Sequence, residues 1–182
     1  MEDDQTRFTA LFQHHYPDVL RYAARRIDPD QARDVAAETL LIAWRRMDDV
    51  PGKAEEVLPW LYSVARNTLA NQQRADRRRL RLGTKLDRTA PKAAGSDHAG
   101  AVVESLALRE ALASLSPKDQ EALRLVGWEE LDMASAATVV GCSPGTFAVR
   151  LHRARRRLDR ALTEHDGRAP GVHRQMAPEE AK

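Results

Sequence analysis

The sequence predicts an all-α protein that consists of two small helical domains joined by a flexible linker. Apolar residues recur at spacings of three and four along most of the chain, and the Val/Ile alternation typical of strands is absent. Glycine and proline cluster near the middle and towards the C-terminal end. We therefore predict domains at 1–82 and 101–165, a linker at 83–100 and a disordered tail at 166–182.

Composition narrows the class of protein. The 182 residues are 42% hydrophobic and 31% charged, with few aromatic residues, so the core should consist mainly of Leu, Ala and Val. The net charge is only +2, but basic residues are concentrated locally. The single cysteine, Cys142, excludes an internal disulfide framework and a Cys-based zinc finger. An acidic N-terminus and the absence of a long apolar run lead us to expect a cytoplasmic protein.

The chain carries no motif of an enzyme. There is no ordered Ser/His/Asp set and no glycine-rich phosphate loop. His14 and His15 are adjacent, so on a helix they point about 100° apart and are poorly placed to share a metal ion. We expect no catalytic residue, no metal site and no cofactor.

The first domain begins with two helical patterns. A helix is predicted from about Thr6, a break or kink at Pro17, and a second helix as far as Ile27. Asp28-Pro29-Asp30 predicts the end of this helix and the start of the next one. The next helix has an apolar face, and its other face carries Arg33, Asp34, Glu38 and Arg45, with Trp44 near its end.

A polar stretch at 48–59 predicts a long loop, and a helix starting near Trp60 follows it. The first half of this helix is apolar, whereas its second half is basic and rich in amides: Arg66, Asn67, Asn71, Gln72, Gln73, Arg74, Arg77, Arg78, Arg79 and Arg81. This change indicates a helix that is anchored at one end and faces an anion at the other. The alternative is a solvated helix end whose cations favour the C-terminal dipole.

In the second domain, Ser116-Pro117 predicts the start of a helix that ends at Gly127-Trp128, and residues 141–158 are the most informative stretch. Gly141 can end a helix, Ser143 can cap the next one, and Pro144 suits its first position. The new helix has a stripe of apolar residues at Phe147, Leu151, Ala154, Leu158 and Leu162, with arginines between them. Preceded by the small-residue helix 133–140, this pattern predicts a helix-turn-helix whose second helix enters the major groove. The alternative is an ordinary surface helix with a solvated arginine face.

Taken in order, these motifs resemble the extracytoplasmic-function (ECF) sigma factors of bacterial RNA polymerase. The resemblance extends from Phe8 to Leu162, with a separate motif set in each domain. Residues 12–17 resemble the opening helix pair of that family, and residues 32–45 resemble its region 2.2. Residues 59–67 resemble the segment that leads into regions 2.3 and 2.4, and residues 115–117 and 141–158 resemble region 4.

For the first domain, the resemblance implies docking on the β′ clamp helices of core RNA polymerase through Asp34, Glu38 and Trp44. The loop 47–59 would hold a flipped base of the minus-10 element. Minus-10 DNA would be contacted by Trp60, Tyr62, Asn67, Asn71, Arg74, Arg77 and Arg78, with Arg79 on the backbone. For Trp60, a position in the core is the open alternative.

For the second domain, the resemblance implies minus-35 recognition and contact with the β flap tip. The candidate DNA-binding residues are Ser143, Thr146, Arg150, His152, Arg153 and Arg156. The chain departs from the family at Ala148-Val149, where a basic residue and a serine are common, so base readout rests more on the other side chains or on shape. Either Ala148 or Val149 is a candidate for contact with a thymine methyl group.

The same resemblance implies that this protein contributes binding energy and the polymerase performs the chemistry. Its linker would pass through the active-site cleft and the RNA-exit path, and an anti-sigma factor is a usual partner in the family. Two other classes stay open on sequence alone. One is a stand-alone helix-turn-helix regulator with a ligand-sensing first domain, and the other is a hydrolytic enzyme or nuclease.

Overall fold

A computed structural model describes residues 2–82 and 99–166, and every regular element within those ranges is a helix. The α-helices are α1 (Glu2–Ala24), α2 (Pro29–Arg45), α3 (Ala54–Leu82), α4 (Ala99–Ser114), α5 (Pro117–Gly127), α6 (Met133–Val140) and α7 (Pro144–Asp166), and a 3-10 turn spans Met47–Asp49. The all-α prediction is therefore confirmed. Most of the predicted linker and the tail after residue 166 lie outside the described residues, and the last two linker residues belong to α4.

Polar side chains cap several helices where the sequence predicts helix starts. The Asp28 carboxylate accepts the Gln31 N–H at 3.0 Å before α2, and the Ser116 hydroxyl accepts the Asp119 N–H at 3.3 Å before α5. Asp132 accepts the Ser135 N–H at 2.8 Å before α6, and this hydrogen bond lowers the pKa of the Asp132 carboxyl. In α2 and α5 a proline follows the cap, where its missing N–H costs nothing.

Helices α1, α2 and α3 pack together as the first body of the protein. Their apolar stripes meet in a core whose fully buried members include Val19, Tyr22, Val35, Leu40 and Leu61. The stretch after the 3-10 turn is held against α1 by the Arg7 guanidinium, which donates to the Val50 carbonyl at 3.0 Å. Met47 and Val50 are also buried in the core, so this connection is packed against the helices.

The predicted break at Pro17 is wrong, because α1 continues through it from Glu2 to Ala24. A proline inside a helix removes one backbone hydrogen bond, here the one that the carbonyl of Gln13 would accept. Both Gln13 and Pro17 are exposed, so water can take the place of the missing donor. The burial of Leu11 and Val19 on either side keeps the helix packed across the proline.

The predicted loop at 48–59 is also too long, because α3 begins at Ala54 and includes Pro59. Because Pro59 has no N–H, the carbonyl of Glu55 lacks its intrahelical donor. Glu55 is exposed, so water can donate to this carbonyl. With the 3-10 turn at its start, the irregular connection shrinks to residues 50–53.

Helices α4 to α7 form the second body. Phe147, Leu151 and Ala154 are buried on α7 as the apolar stripe predicts, and they pack with residues such as Leu125 of α5. Gly141 has φ of 71° and its N–H reaches the carbonyls of Ala137 and Thr138, so it ends α6 in the left-handed conformation. The first body and the second body are in contact, because α6 packs against α3 and their buried residues form one continuous core.

Gly141→Ala should lower the free energy of unfolding by about 1–2 kcal/mol, since a Cβ is strained at positive φ. No atom lies within 4 Å of that Cβ, so the loss reports backbone strain alone. Gly145→Ala, in the first turn of α7 with equally open surroundings, is the matched control and should not destabilise the protein. Urea unfolding of the two variants measures the difference, and equal stabilities would contradict the assignment.

Acid should destabilise the fold partly through His15. Its Nδ1 is buried without a hydrogen-bond partner among the described residues. Burial and the neighbouring His14 lower the pKa of the imidazole, and Asp18 opposes them weakly. The folded state then binds fewer protons than the unfolded chain, so stability is lost as pH falls below about 6.5. Between pH 7.5 and 5.5, His15→Gln should lose less stability than the wild type in urea titrations. If wild type and His15→Gln lost equal stability between these pH values, His15 would not be responsible for the destabilisation by acid.

Candidate nucleic-acid interface

The turn between α6 and α7 sets the start of the candidate recognition helix. The Ser143 hydroxyl accepts the Thr146 N–H at 3.2 Å and lies 2.9 Å from the Thr146 hydroxyl. These contacts fix both side chains at the first turn of α7 and leave them exposed. Unpaired N–H groups at a helix start attract anions, so this end of α7 suits a phosphate.

One exposed face of α7 carries three of the six side chains predicted to contact minus-35 DNA. Thr146, Val149, Arg153 and Arg156 follow one another at intervals of three, four and three residues, which places them on one side of a helix. Val149 lies in the middle of this face and is 52% exposed. Of the two apolar candidates for a thymine methyl contact, the structure therefore favours Val149, since Ala148 points away from the face.

Arg150 and His152 flank this α7 face on opposite sides. Arg150 is half-buried next to the apolar stripe, whereas His152 is exposed. Arg150 and His152 can therefore reach a DNA groove only from the two edges of this face.

Arg157 has a structural role although it follows directly after Arg156. Its guanidinium contacts the carboxylate of Asp119 at 2.5 Å, and Asp119 is almost fully buried on α5. This ion pair fastens α7 to α5. Among the residues that the structure describes, Arg156 has no such carboxylate partner, and its side chain is exposed on the α7 face. Of these two adjacent arginines, one therefore contributes to helix packing and the other faces solvent.

A second polar face runs along α3. Trp60, Asn67, Asn71, Arg74 and Arg78 recur at intervals of seven, four, three and four residues, so they share one side of the helix. The amides and arginines are exposed, and Trp60 is half-buried at the apolar end. Arg74 donates to the Asn71 side chain at 2.8 Å, and Arg77 joins them around a shallow depression. Arg79 lies outside the side chains that the structure describes.

The structure does not bring Tyr62 to this α3 face. Two residues after Trp60, its side chain points to the other side of the helix, is only 3% exposed and stacks on Tyr22 with ring centroids 4.6 Å apart. Burial raises the pKa of the Tyr62 phenol, with a further contribution from Glu129. In this arrangement its ring is enclosed and is not available to stack on a base.

The exposed face of α2 carries the residues predicted to dock on polymerase. Asp34 and Glu38 are exposed one turn apart, and Leu41 continues their row with 39% of its side chain accessible. Trp44 lies to one side, where its ring meets Phe8 at 5.1 Å.

An aromatic row on α1 extends this surface, and Phe12 stacks on Tyr16 at 5.0 Å. Leu41 is not among the residues that the sequence predicts for docking, although its spacing of three residues from Glu38 places it in the same row. The Phe12 ring is exposed.

Comparison with known proteins gives a consistent result for both halves of the chain. The family models for Sigma-70 region 2 and Sigma-70, region 4 match residues 11–79 and 105–158. The ECF RNA polymerase sigma factor SigL of Mycobacterium tuberculosis is 33% identical over 156 residues, which cover 85% of this chain and 88% of SigL. BldN of Streptomyces coelicolor, another protein described as an ECF RNA polymerase sigma factor, is 29% identical over 86% of this chain and 61% of its own length.

Solved structures agree with this result. The sigma factor RpoE from Bartonella quintana, crystallised with the anti-sigma factor NepR, superimposes with a TM-score of 0.63 at 26% identity. The alignment covers 86% of this chain and 96% of RpoE. CnrH, solved with the cytosolic domain of CnrY, shares the fold with a TM-score of 0.58 at 24% identity, over 89% of this chain and 90% of CnrH.

Arg157→Ala should reduce the free energy of unfolding by about 1–2 kcal/mol, because it leaves the buried Asp119 carboxylate with one donor fewer. Arg156→Ala is the matched control and should change stability by less than about 0.5 kcal/mol, as an exposed substitution. Urea denaturation of both variants provides the measurement. A larger loss in Arg156→Ala would contradict this division of the two arginines.

Proposed function

The chain belongs to the ECF RNA polymerase sigma factors, and from this premise we propose how its surfaces direct promoter-specific transcription. It binds core RNA polymerase, reads minus-10 and minus-35 elements and helps to melt the DNA. The observation that carries this proposal is the pair of exposed cationic faces, one on α3 and one on α7, in a chain whose net charge is only +2. Such local concentration of cations suits phosphate backbones.

Minus-35 recognition is assigned to the α7 face. Arginine side chains can pair with guanine edges in the major groove, and apolar side chains can contact the thymine methyl group. Arg153 is therefore the candidate for a base contact and Val149 for the methyl contact, while Ser143 and Thr146 position the helix start on a phosphate. Arg150, His152 and Arg156 reach the flanking backbone.

Minus-10 recognition and melting are assigned to the α3 face. Asn67 and Asn71 offer amide donors and acceptors for base edges, and the half-buried Trp60 offers a ring at the apolar end. Arg74, Arg77 and Arg78 hold phosphates along the single strand. A strand captured in this way is removed from the duplex equilibrium, which favours opening of the DNA.

Docking on core polymerase is assigned to α2. The carboxylates of Asp34 and Glu38 lie in one row with the apolar side chain of Leu41, and Trp44 lies at the margin next to Phe8. An aromatic and aliphatic centre with a charged rim is the usual composition of a specific protein interface. By resemblance its partner is the β′ clamp, and the β flap tip contacts the second body.

The remaining partners follow from the same family membership. RpoE was crystallised with an anti-sigma factor, and we propose that this chain is held by one as well. We place its action in the cytoplasm, where RNA polymerase works. As a sigma factor it is a non-catalytic specificity subunit.

In-vitro transcription with purified core polymerase tests the proposed function. We expect defined start sites when the chain is added to core polymerase and a genomic fragment library, and little specific duplex binding by the chain alone. Tight sequence-specific binding without polymerase would favour a stand-alone helix-turn-helix regulator. Cleavage of plain DNA in the presence of Mg²⁺ would favour a nuclease.

Arg153→Ala should weaken promoter binding by the polymerase complex by about 1–3 kcal/mol, because it removes the proposed base contact. Arg155→Ala is the matched control, since Arg155 is exposed on the other side of α7. Footprinting at fixed salt measures both, and we expect the control to stay close to the wild type. If both variants lost equal promoter affinity, α7 would contribute only positive charge and no specific base contact.

A further inference from the structure

An apolar side chain lies at the centre of the cationic face of α7. Val149 is 52% exposed and is the most exposed large apolar side chain among the described residues of that helix. Its neighbours on the C-terminal side of the face are His152, Arg153 and Arg156, which are exposed as well. A single exposed valine is common at protein surfaces, so its surroundings decide whether it has a use.

Short side chains leave the approach to Val149 open from the N-terminal side of the face. Gly145, one turn earlier, has no side chain, and no side chain beyond its two neighbours lies within 4 Å of the place where its Cβ would be. Thr146 is small, and its hydroxyl lies 2.9 Å from that of Ser143, towards the start of the helix. A flat molecular edge can therefore come within about 4 Å of the Val149 methyl groups, which is the distance of van der Waals contact.

The charge pattern separates this part of the helix-turn-helix from the rest of the face. Residues 133–149, which comprise α6, the turn and the start of α7, contain no charged side chain. The cations of α7 begin at Arg150. In helix-turn-helix proteins, the N-terminal residues of the second helix contact base edges. Because phosphates are held best by cations, an uncharged patch one turn into α7 suits base edges better than the DNA backbone.

Thymine is the base whose major-groove edge fits such a patch. Besides an acceptor it presents a 5-methyl group, whereas the edges of the other three bases present hydrogen-bond donors or acceptors alone. The Val149 side chain has neither a donor nor an acceptor, so a polar base edge pressed against it would lose water without gaining a partner. A methyl group in the same place forms no hydrogen bond with water and is stabilised by apolar burial.

We propose that Val149 determines base specificity in the minus-35 element by holding the 5-methyl group of a thymine. This inference rests on the proposed function and adds the chemical group that one base must carry. Along α7, Val149 and Arg153 are about 6 Å apart, and stacked base pairs are about 3.4 Å apart. The thymine therefore lies within about two base pairs of the base that Arg153 contacts.

Uracil in place of thymine tests the proposal, because this replacement removes only the 5-methyl group and keeps the base pair. The promoter is taken from the start sites mapped with the polymerase complex, and the thymines of its minus-35 element are replaced one at a time on both strands. Footprinting titrations at fixed salt measure the affinity. At one position we expect the complex of core polymerase with the wild-type chain to bind about three- to fivefold more weakly.

Val149→Ala identifies the side chain that holds this methyl group. We expect the variant to bind the thymine promoter about three- to fivefold more weakly than the wild type, and to lose nothing further when uracil stands at the sensitive position. Arg155→Ala, on the other side of α7, is the matched control and should keep the full response to uracil. Because Val149 lies outside the buried stripe, its truncation leaves the core intact, which circular dichroism of the free chain checks.

Two results would overturn the inference while the proposed function stands. One is a wild-type complex that binds every uracil promoter as tightly as the thymine promoter, and the other is a uracil effect that Val149→Ala retains in full. A chain that gives no promoter-specific binding with core polymerase would overturn the proposed function, and the inference with it. A uracil effect that disappears in Val149→Ala and persists in Arg155→Ala would support both.

Discussion

Burial of a single apolar stripe on α3 and on α7 is the constraint on which both candidate DNA-reading faces depend. When Phe147, Leu151 and Ala154 enter the core, the side chains half a turn away must face solvent. The same geometry on α3 buries Leu61 and Ala65 and leaves Asn67 and Asn71 exposed. In a helical protein with few aromatic residues, the orientation of these stripes therefore determines which polar groups are available to another molecule.

The arginines illustrate how strongly position determines role. Arg26 is enclosed by two carboxylates, and Arg157 pairs with a buried aspartate, so both contribute to packing between helices or bodies. Arg153 and Arg156 share the exposed face of α7 and form no ion pair with a carboxylate within the ranges 2–82 and 99–166. A net charge close to zero thus hides two populations of cations. One neutralises buried carboxylates, and the other remains exposed, as a nucleic-acid surface requires.

The helix ends predicted at two prolines and the DNA contact predicted for Tyr62 show where short-range sequence patterns fail. The sequence predicts a break or kink at Pro17 and a loop that ends at Pro59, yet α1 and α3 continue through both. A lost backbone hydrogen bond is tolerated where the free carbonyl meets water and the flanking residues are buried. The resemblance implies that Tyr62, near the predicted loop, contacts minus-10 DNA. However, Tyr62 lies two residues after Trp60, and a step of two residues along a helix reverses the direction of a side chain.

By itself, the sequence determined the helical class, the caps at Asp28, Ser116 and Ser143, the turn at Gly141 and the row of exposed residues on α7. These features depend on spacing and on interactions within a few residues, which a linear pattern contains. Only the tertiary structure decided that Arg26 meets Glu121 and Glu129, that Tyr62 lies against Tyr22, and that α6 rests on α3. Those contacts join residues that are 40 to 103 positions apart. They arise from how two bodies bury their charges and rings against each other, which no local period encodes.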